Sequence, residues 1–179
     1  GLRRPRLHGG PQAMDGWQVA VTIAINSPGG DVFDGFAIHN ALLRLGARCT
    51  VRIDGLAASA ASVIACGGHQ VVMAANAMLM IHNPWTYASG DAEDLRKVAT
   101  ALDQAMEAII AAYKTKAPDI DEVELRRLVN AETWLTASEA VASTVDEWRL
   151  TQRTFAGSLA ARPSGVRLPS ASPTTHALN

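Results

Sequence analysis

Gln18-Val19-Ala20-Val21-Thr22-Ile23-Ala24-Ile25 runs directly into Asn26-Ser27-Pro28-Gly29-Gly30, and that join decides how the fold is read. The first eight residues are β-branched or largely apolar, which suits a strand buried on both faces. The next five are turn formers. Beyond them Val32, Phe36, Leu42, Leu43 and Leu45 supply the apolar face of a helix, and Gly46 supplies its stop. A buried strand that turns through paired glycines into a helix opens an α/β unit.

The alternation continues downstream. Cys49 to Ile53 is a second strand that ends at Asp54-Gly55, and Ala58 to Cys66 is a short buried helix closed by Gly67-Gly68. Gln70–Met73 and Met78–Ile81 are further short strands. A long helix from Ala92 to Lys114 repeats Leu95, Val98, Leu102, Met106, Ile109 and Tyr113 along one stripe, with Ser89 or Asp91 as its cap. Asp121 to Leu128 and Ala137 to Ser143 are shorter helices. The order predicts an α/β domain with a mainly parallel sheet over residues 18–150. Residues 1–17, rich in Gly, Pro and Arg, read as irregular, and the Ser/Pro/Thr-rich residues 151–179 as a disordered tail.

Composition excludes several classes. The 179 residues suffice for one domain, and a formal net charge of -1 gives no electrostatic case for a nucleic-acid or membrane-surface partner. The apolar run Leu56 to Cys66 falls short of the roughly 20 residues a bilayer span needs. Cys49 and Cys66 match no metal spacing or disulfide framework, and His8, His39, His69, His82 and His176 form no ligand pattern. The expectation is a soluble cytoplasmic chain without metal or cofactor.

Three segments can carry chemistry together. Asn26-Ser27-Pro28-Gly29-Gly30-Asp31 presents amide N–H groups where a strand turns into a helix, a place suited to a developing oxyanion or to a plain turn. Gly55-Leu56-Ala57-Ala58-Ser59-Ala60-Ala61-Ser62 sets a serine after a strand at a helix start, either as an exposed nucleophile or as an N-cap. Met80-Ile81-His82-Asn83-Pro84 puts an imidazole at a strand end, either as a general base or as a ring satisfied by backbone.

In order and spacing, the three segments resemble the proteolytic subunit of the Clp protease. That family pairs an Asn-Ser-Pro-Gly-Gly turn with a Gly-x-Ala-Ala-Ser nucleophile and a Met-Ile-His base. Trp134-Leu135-Thr136-Ala137-Ser138-Glu139-Ala140, followed by Val145-Asp146, matches a further stretch, so the resemblance runs from about Val19 to Leu150. It implies a crotonase-like spiral of ββα units with a protruding handle helix, here Ala92–Lys114. It also implies a serine endopeptidase: Ser59 as nucleophile, His82 as base, the amides of Gly30 and Ala60 as oxyanion hole. The third triad position falls on Glu132, where the family's best-known members have Asp.

The resemblance further implies rings of six or seven subunits, single or stacked in pairs, fed by an AAA+ unfoldase and acting on unfolded or flexible polypeptides. Asp31-Val32-Phe33-Asp34-Gly35 and Glu132-Thr133-Trp134-Leu135-Thr136 look more like the phage and prophage head maturation branch. The family normally has another strand–helix unit before the first strand found here, where only residues 1–17 stand. Two alternatives remain at this stage: a catalytically incompetent assembly protein of the same fold, and an acyl-CoA enzyme of the crotonase branch. Ser62 is a conceivable decoy for Ser59, and Lys97 a conceivable dyad partner.

Overall fold

The computed structural model describes residues 19–142 and 148–150, so the expected irregular segment 1–17 and tail 151–179 lie outside the described residues. In chain order the elements are β1 (Val21–Ser27), α1 (Val32–Leu45), β2 (Cys49–Ala58), α2 (Ala60–Ala65), β3 (Gln70–Met73), β4 (Met78–Ile81), α3 (Ala92–Lys114), α4 (Glu122–Asn130), β5 (Thr133–Thr136), α5 (Ala137–Ala142) and β6 (Trp148–Leu150). This is the expected α/β architecture. The strands form one sheet in the order β5-β4-β2-β3-β6, with β1 paired to β2. All pairings are parallel except β4 with β5.

β2 organises the molecule because it changes partner half-way. Thr50–Ile53 pair with β3, and Leu56–Ala58 pair with β4. At the change, β1 and β2 fall out of step: Ile25 faces Ile53, but Ser27 faces Ala57. The extra β2 residues form an irregularity whose Leu56 N–H is taken by the Asn26 side chain at 3.1 Å. Gly55 suits the place, since a Cβ would lie 2.8 Å from Asn26 Oδ1 and push that side chain off the Leu56 N–H. The second strand therefore does not end at Asp54-Gly55 as expected; it bends and continues to Ala58.

β1 also differs from expectation. Only Ile25 is buried, while Thr22 and Ala24 are exposed, so the strand is not covered on both faces. Among the described residues β1 pairs with β2 alone, and an apolar run reads the same in an edge strand as in a central one.

The core lies between the sheet and its helices and is built on Val51, Ile53, Val63, Val71, Met73 and Val129, all essentially inaccessible. Helix α3 divides along its length. Residues 91–97 are exposed, whereas Ala105, Ile109, Ile110, Ala112 and Tyr113 are buried against the domain. Asp91 caps it through the amides of Glu93 and Asp94. β5 and β6 were not expected from the sequence. Thr136 and Glu139 close a capping box at the start of α5, with the Glu139 carboxylate accepting from Thr136 N–H at 2.8 Å, so this stretch has a structural explanation of its own.

Candidate active site

The register of two parallel strands brings serine and histidine together. Ala58 of β2 faces Met80 of β4, so Ser59 and His82 follow immediately beyond the carboxyl ends of adjacent strands. Crevices at that end of a parallel sheet are where α/β folds place their ligands. The Ser59 N–H donates to the Met80 carbonyl at 3.0 Å, which continues the ladder one step and aims the serine side chain at the histidine. Ser59 Oγ and His82 Nε2 are 2.7 Å apart.

Ser59 stands at the N-cap position of α2 but makes no capping bond with its side chain, so the hydroxyl is free to face the imidazole. Its backbone has φ 55° and ψ −128°, a sparsely populated conformation for a residue with a Cβ. Such conformations cost about 1–3 kcal/mol and persist only where neighbours hold them. Gly29 is one such neighbour. It has φ 103°, and a Cβ on it would lie 2.7 Å from both Ser59 Cβ and the Ala58 carbonyl, and 3.0 Å from Ala60 N. The Asn-Ser-Pro-Gly-Gly turn thus lies directly on the serine's bend, and this contact explains why the two motifs occur together.

Gly30 and Ala60 border the same space as Ser59 and His82. Among the described residues no hydrogen bond occupies the N–H of either, whereas Gly29 N–H is taken by the Ser27 hydroxyl at 3.1 Å. Asp31 next to them is engaged as the cap of α1, accepting from Phe33 and Asp34 amides at 2.8 and 3.0 Å.

The acid position is different. The antiparallel ladder of β4 and β5 ends at Ile81 opposite Thr133, so the next residue on each strand is His82 and Glu132 respectively. Glu132 is nevertheless exposed, and among the described residues no hydrogen bond links it to His82. Asn83 beside the histidine is tied to Asn130 at the end of α4, with Asn83 Nδ2 donating to Asn130 Oδ1 at 2.9 Å.

The pair opens onto a cavity of about 740 Å³ between the Ser59 bend and α3. Val63, Met80, Val98, Leu102, Ala105 and Ile109 give it apolar walls, and Trp85 stands at its edge, 64% exposed and packed edge-on against Tyr87 at 5.2 Å. Sequence reasoning did not single out this aromatic pair; Trp85 and Tyr87 sit in a segment without periodicity.

Competing nucleophiles and partners are accounted for. Ser62 is wholly buried and bonded to Ser59 O and Tyr113, and Lys97 is exposed beside Asp94 at 3.7 Å. Cys49 and Cys66 are buried free thiols, and burial pushes Cys66 up to about 12, far from a thiolate at neutral pH.

The family model for Clp protease matches residues 15–145. The chain belongs to the Clp protease family. Among curated relatives it is 30% identical over 131 residues to the ATP-dependent Clp protease proteolytic subunit 1 of Salinibacter ruber, covering 70% of this chain and 54% of that one. The ATP-dependent Clp protease proteolytic subunit of Porphyromonas gingivalis is 30% identical over 126 residues, covering 68% of this chain and 55% of that one. Subunit 1 from Chlamydia abortus is 31% identical over 125 residues, covering 67% and 64%. This Clp-family chain thus spans little more than half the length of the first two relatives. No helix among the described residues is long and apolar enough to cross a membrane.

Proposed function

We propose that the chain is a serine endopeptidase in which Ser59 attacks the scissile carbonyl and His82 accepts the serine proton on Nε2. The carrying observation is the 2.7 Å contact between Ser59 Oγ and His82 Nε2. General-base action requires the tautomer with the proton on Nδ1, leaving Nε2 to accept. The tetrahedral oxyanion is held by the N–H groups of Gly30 and Ala60, neither of which has a hydrogen-bond partner among the described residues. The imidazolium then protonates the leaving amine, and water, deprotonated by the same ring, releases the acyl group from Ser59.

Glu132 is the proposed third member. One step past the last ladder pair it stands across from His82, and an exposed carboxylate there supports the imidazolium mainly through charge. Its contribution is correspondingly smaller than that of a buried hydrogen-bonded acid.

The apolar cavity beside Ser59 fits an extended polypeptide with an apolar side chain next to the cut bond. By analogy with relatives named as subunits of an ATP-dependent protease, the chain is proposed to self-associate into rings of six or seven, single or stacked in pairs, and to receive substrate from an AAA+ unfoldase. The exposed first turns of α3, with Leu95 45% exposed, support a role for that helix in assembly. The motif likeness to the head maturation branch adds capsid or scaffold proteins as candidate substrates.

Fluorophosphonate labelling of the purified protein beside Ser59→Ala, with the modified peptide identified by mass, tests the reading. Label on Ser59 that vanishes in the variant is the expected result. A folded wild type that takes up no label would instead assign the chain to the non-catalytic assembly role, while thioester turnover without peptide cleavage would point to acyl-CoA chemistry.

A further inference from the structure

Two buried hydroxyls next to the serine play no part in the proton transfers above. Ser62, in the first turn of α2, is fully buried, and Tyr113, at the end of α3, is 6% exposed. The Ser62 hydroxyl donates to the Ser59 carbonyl at 2.6 Å, and the Tyr113 hydroxyl lies 2.7 Å from Ser62 Oγ. A serine hydroxyl has one proton to give. With that proton on Ser59 O, the second contact is filled by the tyrosine proton. The chain therefore runs from Tyr113 O–H to Ser62 Oγ–H to the Ser59 carbonyl. The reverse direction would leave the phenol proton without an acceptor among the described residues.

The Ser59 carbonyl is the far end of the peptide group whose N–H belongs to Ala60. It also accepts from Ser62 N at 2.9 Å and Val63 N at 3.5 Å, so its plane is held by backbone and side chain together. Hydrogen bonds accepted at an amide oxygen polarise the group and strengthen its N–H as a donor, the more so along a chain of hydroxyls in a dry site. A serine early in a helix often bonds back to its own backbone without consequence. The phenol is different: a phenylalanine would fill the same space without the desolvation cost of a buried hydroxyl. What that hydroxyl does beyond packing is act on the Ser59–Ala60 peptide through Ser62.

We infer that Tyr113 and Ser62 are positioning residues for the oxyanion hole, orienting and polarising the Ser59–Ala60 peptide so that the Ala60 N–H meets the developing charge. The inference rests on Ser59 being the nucleophile. It also makes α3 more than a cover for the cavity, because the last turn of that helix is linked through the Ser62 hydroxyl to the serine's own peptide.

The test compares Tyr113→Phe, Ser62→Ala and Ser62→Thr in the full chain, using a fluorogenic peptide, a peptide aldehyde that forms a tetrahedral adduct, and the matching peptide alcohol that cannot. Tyr113→Phe is expected to lower kcat about five- to tenfold, the scale of one lost hydrogen bond, with KM within about twofold. Aldehyde affinity should weaken by the same factor while the peptide alcohol binds as before. Ser62→Thr, which keeps the hydroxyl, should recover most of what Ser62→Ala loses. A Tyr113→Phe enzyme with unchanged kcat and aldehyde affinity overturns the inference, as does a loss shared equally by the alcohol, which would mark a purely structural role. If Ser62→Ala does not fold, Tyr113→Phe and Ser62→Thr decide the matter. Failure of the serine reading itself shows earlier, as a wild type that is neither labelled at Ser59 nor active on the peptide.

Discussion

Two non-glycine residues among those described have positive φ, Ser59 at 55° and Glu132 at 49°, and both were expected to serve in the same triad. Their surroundings differ sharply. At Ser59 the strained bend is packed from above by Gly29, bonded to β4 through Met80, and bonded underneath to Ser62. At Glu132 the same sign of φ has an ordinary cause. The residue follows Ala131 at the end of α4, and its N–H donates to Val129 O at 3.2 Å, the left-handed turn with which many helices finish. Strain held by neighbours on several sides marks a position whose side chain direction matters. Strain at a helix end marks a chain that has to turn.

The largest expected effects break the Ser59 side. Ser59→Ala or His82→Ala should each lower peptidase kcat by about three orders of magnitude or more, read by hydrolysis of a fluorogenic peptide. Ser59→Gly separates strain from chemistry. It should be equally inactive yet gain about 1 kcal/mol of stability in denaturant unfolding, because glycine relieves the positive φ. An unchanged or lowered stability for Ser59→Gly would mean that the bend stores no strain. Next comes Gly29→Ala. Its methyl would meet Ser59 Cβ and the Ala58 carbonyl at 2.7 Å, and the residue would keep φ 103°. A fall in kcat of about a hundredfold, with a stability loss of about 1–3 kcal/mol, is expected. Activity near wild type in Gly29→Ala would show that the turn does not hold the serine.

Most of the serine side was legible in the sequence because its information is local. Asn26-Ser27-Pro28-Gly29-Gly30 and Gly55 to Ser59 are runs of small residues whose composition reports close approach, and β3, β4 and α3 have the bounds expected of their short apolar runs and long apolar stripe. The continuation of β2 past Gly55 was hidden, because it depends on a side chain 30 positions away, Asn26, accepting the Leu56 N–H. The exposure of β1 was hidden as well, since burial of a strand face depends on what packs over it. β5 escaped notice because Thr133–Thr136 lacks the continuous apolar run that marks β3 and β4; its partner β4 defines it. Glu132 could be placed on the chain by motif spacing, but whether its carboxylate reaches the imidazole is a property of a turn that spacing does not encode.

Glu132 sharpens the comparison with a smaller effect. Glu132→Gln removes the charge and keeps the shape, and should lower kcat by about tenfold, well short of the loss a buried triad acid gives. The loss should shrink with added salt, as expected of an exposed charge acting across solvent. Glu132→Gly should stabilise by about 1 kcal/mol, as Ser59→Gly does, but with far less loss of activity. A thousandfold loss in Glu132→Gln would mean the carboxylate closes on His82 during turnover and that the two positive-φ residues are functional equals.

The smallest effect concerns what ties α2 down. His39 of α1 is 3% exposed and its Nδ1 lies 2.8 Å from the carbonyl of Val63, four residues beyond Ser59. Burial lowers its pKa from the usual 6.5, the Val63 carbonyl opposes that shift, and the nearby Lys116 charge adds to it. The folded protein therefore holds fewer protons at this site than the unfolded chain does. Stability from the neutral ring is fully present above about pH 6.5 and is lost as the pH falls below that value toward the folded pKa. A wild-type melting temperature should consequently drop more steeply between about pH 6.5 and 5 than that of His39→Gln, which keeps a donor for Val63 O and cannot titrate. Parallel slopes for the two proteins would mean that the ring takes up its proton in place. Protection of the Ser59 bend would then owe nothing to a neutral His39 ring, leaving Gly29 and Ser62 as the contacts that distinguish it from the turn at Glu132.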